Sequence, residues 1–491
     1  MTGAWTVARI ARVLRDRDLL IEVHGPEDAR VMGVSQDSRT VRKGDLFLAW
    51  RGVEADAHDF VADAAERGAA AAVVERLVET DVPQLLVRDG RLAGAILAEV
   101  IQGSPGKDLI LVAATGTNGK TTTTLILRHL LAAAHPTASV GTLGVIGADG
   151  NVKPGTEALT TPGPVQLSAW LRSLAEEGTR AVTLEASSHA LDQRRLDGLR
   201  FDAGIFTNLG RDHLDYHVDQ KSYLAAKGRL LTLLEADGTA VINADEPAWR
   251  ELPVGPRRLT YGIGASGADV RAEAVHLSAT GARFTLVRGN ARVQTSSPLL
   301  GRYNVHNALA AATAAIAVGI PFDAVARRLA TVPQIPGRLE RVVEEPAPVF
   351  IDFAHTPDAL ENVLSTLRPL VEGRLIVVFG AGGDRDRAKR RPMAEAVSRY
   401  ADVIVVTSDN PRTENPAAIL DDLAEGLRGV PHERLVDRRE AIHRALEGAR
   451  SPDLVLLAGK GHERYQVVGR EKVPFDERAV VREHLAGRGA A

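Results

Sequence analysis

The stretch Thr115 to Thr124 reads TGTNGKTTTT, and its residue types and spacing could hold a polyphosphate. Gly116 and Gly119 let backbone N–H groups close around phosphate oxygens, Lys120 reaches the outer phosphates, and Thr121 offers a hydroxyl of the kind that ligates Mg2+. Such a loop must join a buried strand to the N-terminus of a helix, whose partial positive charge strengthens the anion site. The flanks meet that requirement, with the apolar run Leu109 to Ala114 before the loop and Leu125 to Leu131 after it. Ala114 stands where the general phosphate-loop pattern carries its first glycine, so other residues must decide the reading. ATP is the default ligand of this stretch.

Further candidates follow along the chain. Arg180 to Leu184 reads as a buried strand ending in Glu185, where a carboxylate can hold Mg2+ directly or through water; the alternative is a cap for the next turn. Ala186-Ser187-Ser188-His189 is expected to run on as a polar loop. The strand Ala203 to Thr207 opens into a loop, Asn208 to His217, crowded with carboxylates and imidazoles. Lys227 lies among Ala226, Gly228 and leucines. It either faces the interior, where desolvation favours a neutral amine able to condense with CO2 to a carbamate, or snorkels along the surface.

The bounds are those of an ordinary globular protein. At 491 residues the chain exceeds one hydrophobic core, and about one domain per 150 residues gives three. Net charge −3 gives no bulk attraction to nucleic acid or an anionic membrane. The absence of cysteine excludes disulfides, thiolate metal sites and a cysteine nucleophile. Met1 to Arg17 lacks the apolar run of a signal peptide, and no later stretch has the roughly 20 apolar residues of a membrane span, so a cytoplasmic protein is expected; a monomer is expected as well.

The fold class is α/β in three domains. Residues 1–104 show short strands alternating with helical patterns, a small α/β domain; Gln36-Asp37-Ser38-Arg39 within it reads by itself as a solvated turn, and Gly103-Ser104-Pro105-Gly106 as a linker. Residues 105–335 form the P-loop ATPase-like α/β domain. Residues 336–491 repeat one theme, an apolar strand, a Gly- or Pro-containing polar loop and a helix, at Val349 to Asp352, Leu375 to Phe379, Val403 to Thr407 and Leu454 to Ala458. That is a Rossmann-like parallel sheet whose loops share one ligand-binding rim. Gly380-Ala381-Gly382-Gly383 lacks the dinucleotide spacing, which argues against NAD or FAD.

Taken in order, GTNGKTT, LEASSHAL, NLGRDHLDYH followed by AAK, YNVHN, PGRLE, DFAHTPDAL, GAGGDRDRAKR, SDNPRTENP and LAGKGHE resemble the Mur ligase family from Asp37 to Phe475. The resemblance implies ATP-dependent amide synthesis through an acyl phosphate in peptidoglycan precursor assembly. UDP-N-acetylmuramoyl-L-alanyl-D-glutamate would be the acceptor, meso-diaminopimelate the added amino acid, and ADP and phosphate the by-products. It implies that Lys120 stabilises the transferred phosphoryl group, that Glu185 and His213 ligate Mg2+ with Thr121 near the other ion, and that Lys227 is the family's carbamylated lysine. Gly116, Thr117, Asn118, Gly119, Lys120, Thr121 and Thr122 would surround the phosphates, and Asn304, His306, Asn307, Arg338 and Asp352 the adenine and ribose.

For the UDP substrate, Ser38 matches a contact to the uridine end, and Thr160, Thr161, Ser187, Gln193 and Arg195 match contacts to the muramoyl dipeptide. Val53-Glu54-Ala55 departs from the polar triplet of some relatives. Arg385, Asp409, Asn410, Pro411, Arg412, Gly459 and Glu463 would bind diaminopimelate. Arg412 offers a planar fork to the carboxylate that lysine lacks, and Glu463 suits the distal ammonium. Two alternatives differ in what they require. A folylpolyglutamate-synthase-like ligase has no separate uridine-binding domain such as residues 1–104 would form, and a non-enzymatic nucleotide switch has no need of Lys227, His213 or the Asp409 to Arg412 loop.

Overall fold

The computed structural model describes residues 5–52, 55–156, 159–210, 212–253, 255, 257–265 and 267–488. Val53 and Glu54 of the triplet, and Arg211 of the histidine-containing loop, lie outside the described residues.

Three main sheets with flanking helices make the α/β architecture expected from the alternating patterns. The first sheet runs Leu20–His24, Gln84–Val87, Ala71–Val74, Asp45–Leu48, Gly33–Ser35, parallel except for its first pair. Both faces are covered. Leu46 and Leu48 share a core with Val7, Ile10 and Leu14 of the helix Val7–Arg15, whereas Phe47 joins the opposite core with Val61 and Ala64.

The second sheet has ten strands. Seven of them, in the order Gly144–Ile146, Thr137–Gly141, Ala181–Glu185, Ile110–Thr115, Phe201–Phe206, Leu234–Asn243, Arg257–Gly262, are parallel apart from the first pair. The strands that follow in sequence, Val270–Ser278, Gly281–Arg288 and Ala291–Ser297, complete it. Register decides the chemistry here: Glu185 pairs with Ala114, so the carboxylate emerges beside the start of the phosphate loop. The third sheet runs Glu340–Val343, Val349–Asp352, Leu454–Ala458, Leu375–Phe379, Val403–Thr407, Glu433–Leu435. All pairs but its first are parallel, which places the loops after Asp352, Phe379, Thr407 and Ala458 at one rim.

The chain forms two compact units, one of residues 1–273, 285–293 and 306–329, the other of 274–284, 294–305 and 330–491. The first sheet shares its unit with the phosphate loop because the helix Gly90–Ile101 packs against the helix Pro164–Glu176. Buried Glu99 ties that junction, accepting from Gly106 N at 2.7 Å and Ser168 Oγ at 3.0 Å. The segment Gly103 to Gly106, expected as a linker, is thus partly fixed, with Pro105–Asp108 a 3-10 turn.

One local expectation fails. Ala186 to His189 does not run on as a loop, because a short helix, Ser188–Asp192, starts there with Ser187 as its N-cap, accepting from Ala190 N at 3.2 Å. Among the described residues no helix is long and apolar enough to cross a membrane.

Candidate active site

The phosphate loop leaves Ile110–Thr115 and enters the helix Lys120–Leu131. Only glycine fits at its two bends. Gly116 has φ +149°, and a Cβ there would stand 1.9 Å from Thr207 Oγ1; Gly119 has φ +84°, and its Cβ would stand 2.4 Å from Asn307 Oδ1. The loop is held from the neighbouring strand end. Asn118 N donates to Asn208 Oδ1 at 2.9 Å, Thr207 Oγ1 donates to Asn118 O at 2.8 Å, and Gly210 N donates to Thr117 Oγ1 at 2.9 Å. Thr122 lies buried in the first turn of the helix.

The lysines of the site converge on the loop backbone. Lys120 Nζ donates to Gly116 O at 2.8 Å and Thr117 O at 2.9 Å, and Lys227 Nζ donates to the same Gly116 O at 2.7 Å. Lys227, on the helix Gln220–Gly228, is 1% exposed, which settles its orientation in favour of the interior. Burial, and then the nearby charge of Lys120, hold its amine well below the ordinary lysine value. Tyr223 closes the other side, its ring 4.4 Å from Lys227 Nζ and its hydroxyl 3.1 Å from Thr117 Oγ1.

Glu185 is buried and caps no helix. Thr121 Oγ1 donates to its Oε2 at 2.9 Å, while Thr142 donates through its N to Oε1 at 2.8 Å and through its Oγ1 to Oε2 at 3.2 Å. Gly141 makes room for this carboxylate, since a Cβ would stand 2.2 Å from Oε1. Buried hydroxyl and carboxylate oxygens in contact suit Mg2+, a hard cation. Among the described residues no three His, Asp or Glu side chains form a group that could hold a metal ion, so hydroxyl, carbamate or phosphate oxygens would have to complete such a site. His213 stands apart, half-exposed on its loop with φ +54°, 3.5 Å from Asp212 Oδ2 and edge-on to His189 at 4.7 Å between ring centroids.

Five residues expected to meet the muramoyl dipeptide form one network with Glu185. Thr161 Oγ1 donates to Glu185 O at 2.6 Å and accepts from Ser187 N at 3.0 Å; Thr160 Oγ1 lies 3.2 Å from Thr142 Oγ1. Arg195 donates to Thr161 O and to Gln193 Oε1, both at 2.7 Å. Ser38 begins a 3-10 turn, Ser38–Thr40, that Asp37 caps by accepting from Arg39 N at 3.0 Å. Of the residues expected around the nucleoside, His306 Nδ1 lies 3.7 Å from Asp245 Oδ2, and Asn307 Oδ1 accepts from Thr123 Oγ1 at 3.4 Å. In the other unit Asn304 Nδ2 donates to Leu300 O at 2.8 Å, and the Arg338 guanidinium stacks on Phe353 at 4.8 Å. Asp352 accepts from Leu339 N at 2.7 Å and Ala354 N at 2.8 Å, and burial raises its carboxyl above the usual range.

At the rim of the third sheet the loops interlock. Gly383 N donates to Asn410 O at 2.9 Å, and a Cβ on Gly383 would stand 1.9 Å from Pro411 O. Asp384 N donates to Glu414 Oε1 at 2.5 Å, which fixes the loop carrying Arg385. Arg412 is in the left-handed region at φ +51°, a strain of roughly 1–3 kcal/mol for a non-glycine residue. Hydrogen bonds hold it there, from its N to Val467 O at 3.0 Å and from Gly469 N to its O at 2.8 Å. Its guanidinium is half-buried rather than buried, with Nη1 donating to Gly383 O at 2.8 Å. Gly459, at φ +116°, lies against Asp409 Oδ2. Glu463 Oε2 accepts from both Asn410 Nδ2 and Lys460 Nζ, at 2.9 and 2.5 Å. Thr142, Tyr223 and Lys460 were given no role from the sequence. Lys460 lies inside the LAGKGHE motif and Tyr223 one turn before Lys227, whereas Thr142 belongs to no recognisable pattern and only strand order brings it to Glu185.

The chain is similar to known proteins along most of its length. The Mur ligase middle domain matches residues 114–315, the Mur ligase glutamate ligase domain 337–461, and the Mur ligase family catalytic domain 30–102. The chain is 45% identical over 489 residues to the UDP-N-acetylmuramoyl-L-alanyl-D-glutamate--2,6-diaminopimelate ligase of Geobacter sulfurreducens, covering 93% of this chain and 95% of that one. A solved structure of a UDP-N-acetylmuramoyl-L-alanyl-D-glutamate--2,6-diaminopimelate ligase superposes with a TM-score of 0.72 at 33% identity, covering 99% of each chain. Folylpolyglutamate synthase of Mycobacterium tuberculosis, 19% identical with a TM-score of 0.62, shares the fold over 75% of this chain and 92% of its own. With the phosphate loop and Glu185 placed as described, and relatives matched along nearly their whole length, the chain belongs to the Mur ligase family.

Proposed function

We propose that this chain joins meso-diaminopimelate to UDP-N-acetylmuramoyl-L-alanyl-D-glutamate, hydrolysing ATP to ADP and phosphate and forming the tripeptide precursor of peptidoglycan. The observation that carries the reading is the continuous network from the phosphate loop through Thr121, Glu185 and Thr161 to Ser187, Gln193 and Arg195. It puts groups for a phosphoryl donor next to groups for a carboxylate acceptor, and near-full-length relatives carry the name of that ligase.

A carboxylate is a poor acylating agent. The D-glutamate side-chain carboxylate therefore attacks the γ-phosphorus of ATP, ADP leaves, and the resulting acyl phosphate is attacked by the neutral amine of the incoming amino acid. Phosphate departs as the amide forms, and the amine gives up its proton. Lys120 and the loop N–H groups stabilise charge on the phosphoryl oxygens, and Arg195, fixed on Thr161 O and Gln193, orients the acceptor. Mg2+, when bound, offsets further charge on those oxygens. Thr121, Glu185, His213 and Lys227 as its carbamate are the residues we assign to hold it, and the burial of the Lys227 amine, which lowers its pKa and favours the neutral form, suits carbamylation. Gly116 to Thr122, with Asn304, His306, Asn307, Arg338 and Asp352, are assigned to ATP, and Ser38 to the uridine end. Arg385, Asp409 to Arg412, Gly459 and Glu463 are assigned to diaminopimelate. In this reading residues 1–104 bind the UDP substrate, 105–335 ATP and 336–491 the amino acid, in a cytoplasmic monomer that needs no nucleic acid or membrane.

The test is ADP release by the purified protein with ATP, Mg2+ and the UDP-muramoyl dipeptide, adding diaminopimelate, lysine or glutamate in turn. Release dependent on the dipeptide and on diaminopimelate is expected. Release that needs glutamate instead, or none with any amino acid, would overturn the proposal.

A further inference from the structure

Lys460 is the second residue of the loop after the strand Leu454–Ala458 and is 0% exposed. An ammonium so placed must be paired, because an isolated buried charge is strongly unfavourable. Its Nζ donates to Asn410 Oδ1 at 2.9 Å and Glu463 Oε2 at 2.5 Å, and Asn410 Nδ2 closes a triangle on that same Glu463 oxygen at 2.9 Å. Val467 N also donates to Asn410 Oδ1, at 2.9 Å. The carboxylate is thus already neutralised from within the protein.

We infer that Lys460 is a specificity-determining positioning residue, which neutralises Glu463 so that the rim of the third sheet prefers a zwitterionic amino-acid terminus over a bare ammonium. The inference rests on the proposed assignment of this rim to diaminopimelate. The far end of meso-diaminopimelate carries one ammonium and one carboxylate, hence no net charge, whereas the far end of lysine carries a lone positive charge. Without Lys460, Glu463 would be an uncompensated anion and would attract either ammonium. With Lys460 in place the Lys460–Glu463 pair is neutral, and the Arg412 charge disfavours a ligand that brings a cation with no carboxylate. Selectivity then has a repulsive component besides the attraction of Arg412 for the carboxylate.

The roots of both loops are held independently of Lys460. Fully buried Arg438 donates to Ser408 O at 3.1 Å and Ala458 O at 2.8 Å, and pairs with Glu477 at 2.7 Å. Removing the Lys460 charge should therefore leave the loops anchored.

The experiment measures kcat/KM for diaminopimelate and for L-lysine with the full-length protein, its Lys460→Met variant, and the double variant Lys460→Met with Glu463→Gln, alongside KM for ATP. In Lys460→Met the diaminopimelate-to-lysine ratio should fall about ten-fold or more, with lysine use rising in absolute terms and KM for ATP within about two-fold. The double variant should lose the gain in lysine use. Equal losses with both amino acids would show a merely structural role and overturn the inference. If Lys460→Met does not fold by circular dichroism, Lys460→Gln, which keeps one donor, takes its place, and failure of both to fold overturns the inference as well. A wild-type protein that selects diaminopimelate while the variants keep its ratio sinks this inference alone; a wild-type protein with no diaminopimelate-dependent ADP release sinks the functional proposal and the inference with it.

Discussion

Lys120 Nζ and Lys227 Nζ donate to one acceptor, the carbonyl oxygen of Gly116, at 2.8 and 2.7 Å. Two amines on one carbonyl repel when both are charged, and the buried one gives way. Lys227 is the buried one, so its neutral form is favoured. A neutral amine is what CO2 requires. Lys227→Ala should accordingly lose at least about 100-fold in ligase activity, the scale of losing one preorganised electrostatic contact, and a small carboxylate such as acetate or formate should restore part of it. Undiminished turnover of the variant in buffer alone would remove the carbamate from the mechanism.

The same burial makes a statement about stability. Lys227 has a folded-state pKa below the ordinary 10.5, so between the two values the unfolded chain binds more protons than the folded one. Stability contributed through this group must therefore rise as pH increases through that window, and it is at its lowest below the folded value. Urea unfolding at pH 7.5 and 9.5, with bicarbonate excluded, should show a smaller upward change in Lys227→Met than in the wild type, and the variant should be the more stable at pH 7.5. Identical pH responses would mean that Lys227 titrates alike in both states.

Lys120 Nζ donates to the loop carbonyls of Gly116 and Thr117, backbone groups that stay in place when the side chain is removed. Lys120→Ala should melt within a few degrees of the wild type yet turn over about 100- to 1000-fold more slowly, the cost of one preorganised donor. Near-native turnover in a folded variant would make the loop structural.

Gly141 is where Glu185 fits, and an alanine Cβ would stand 2.2 Å from its Oε1. Gly141→Ala should displace the carboxylate and shift the Mg2+ dependence of ADP release to higher concentration, with activity down by about ten-fold or more even at saturating metal. A Mg2+ titration that superposes on the wild type would show that Glu185 does not serve the ion.

Arg412 is half-buried, so the penalty for leaving it unpaired is smaller than for a fully enclosed guanidinium. A hydrogen bond to a charged group contributes about 1.5–3 kcal/mol, or roughly 10- to 150-fold. Arg412→Ala should lose that much in kcat/KM for diaminopimelate with KM for ATP unchanged, and Arg412→Lys should recover little, lacking the planar fork. Full recovery in Arg412→Lys would mean that charge alone is read at this position.

The chemistry-bearing loops were legible in the sequence because each is local: a glycine pattern between an apolar strand and a helix needs only neighbouring residues to declare itself, as at Gly116 and Gly119 and in three of the four expected strand-loop-helix repeats after Pro336; after Leu454–Ala458 the hairpin Tyr465–Val468 and Glu471–Pro474 comes before the helix. The α/β class followed from the same short-range periodicity. Tertiary structure decided what depends on strand order and burial. Thr142 reaches Glu185 only because Thr137–Gly141 lies next to Ala181–Glu185 in the sheet. Lys227 could have been a surface lysine until its helix turned it onto Gly116 O. Ser187 proved to be a helix cap, because a five-residue helix has too few positions to show a period. The Lys460–Asn410–Glu463 triangle joins loops some fifty residues apart, and no spacing along the chain records a contact that exists only because Val403–Thr407 and Leu454–Ala458, which flank Leu375–Phe379 in one parallel sheet, end at the same rim.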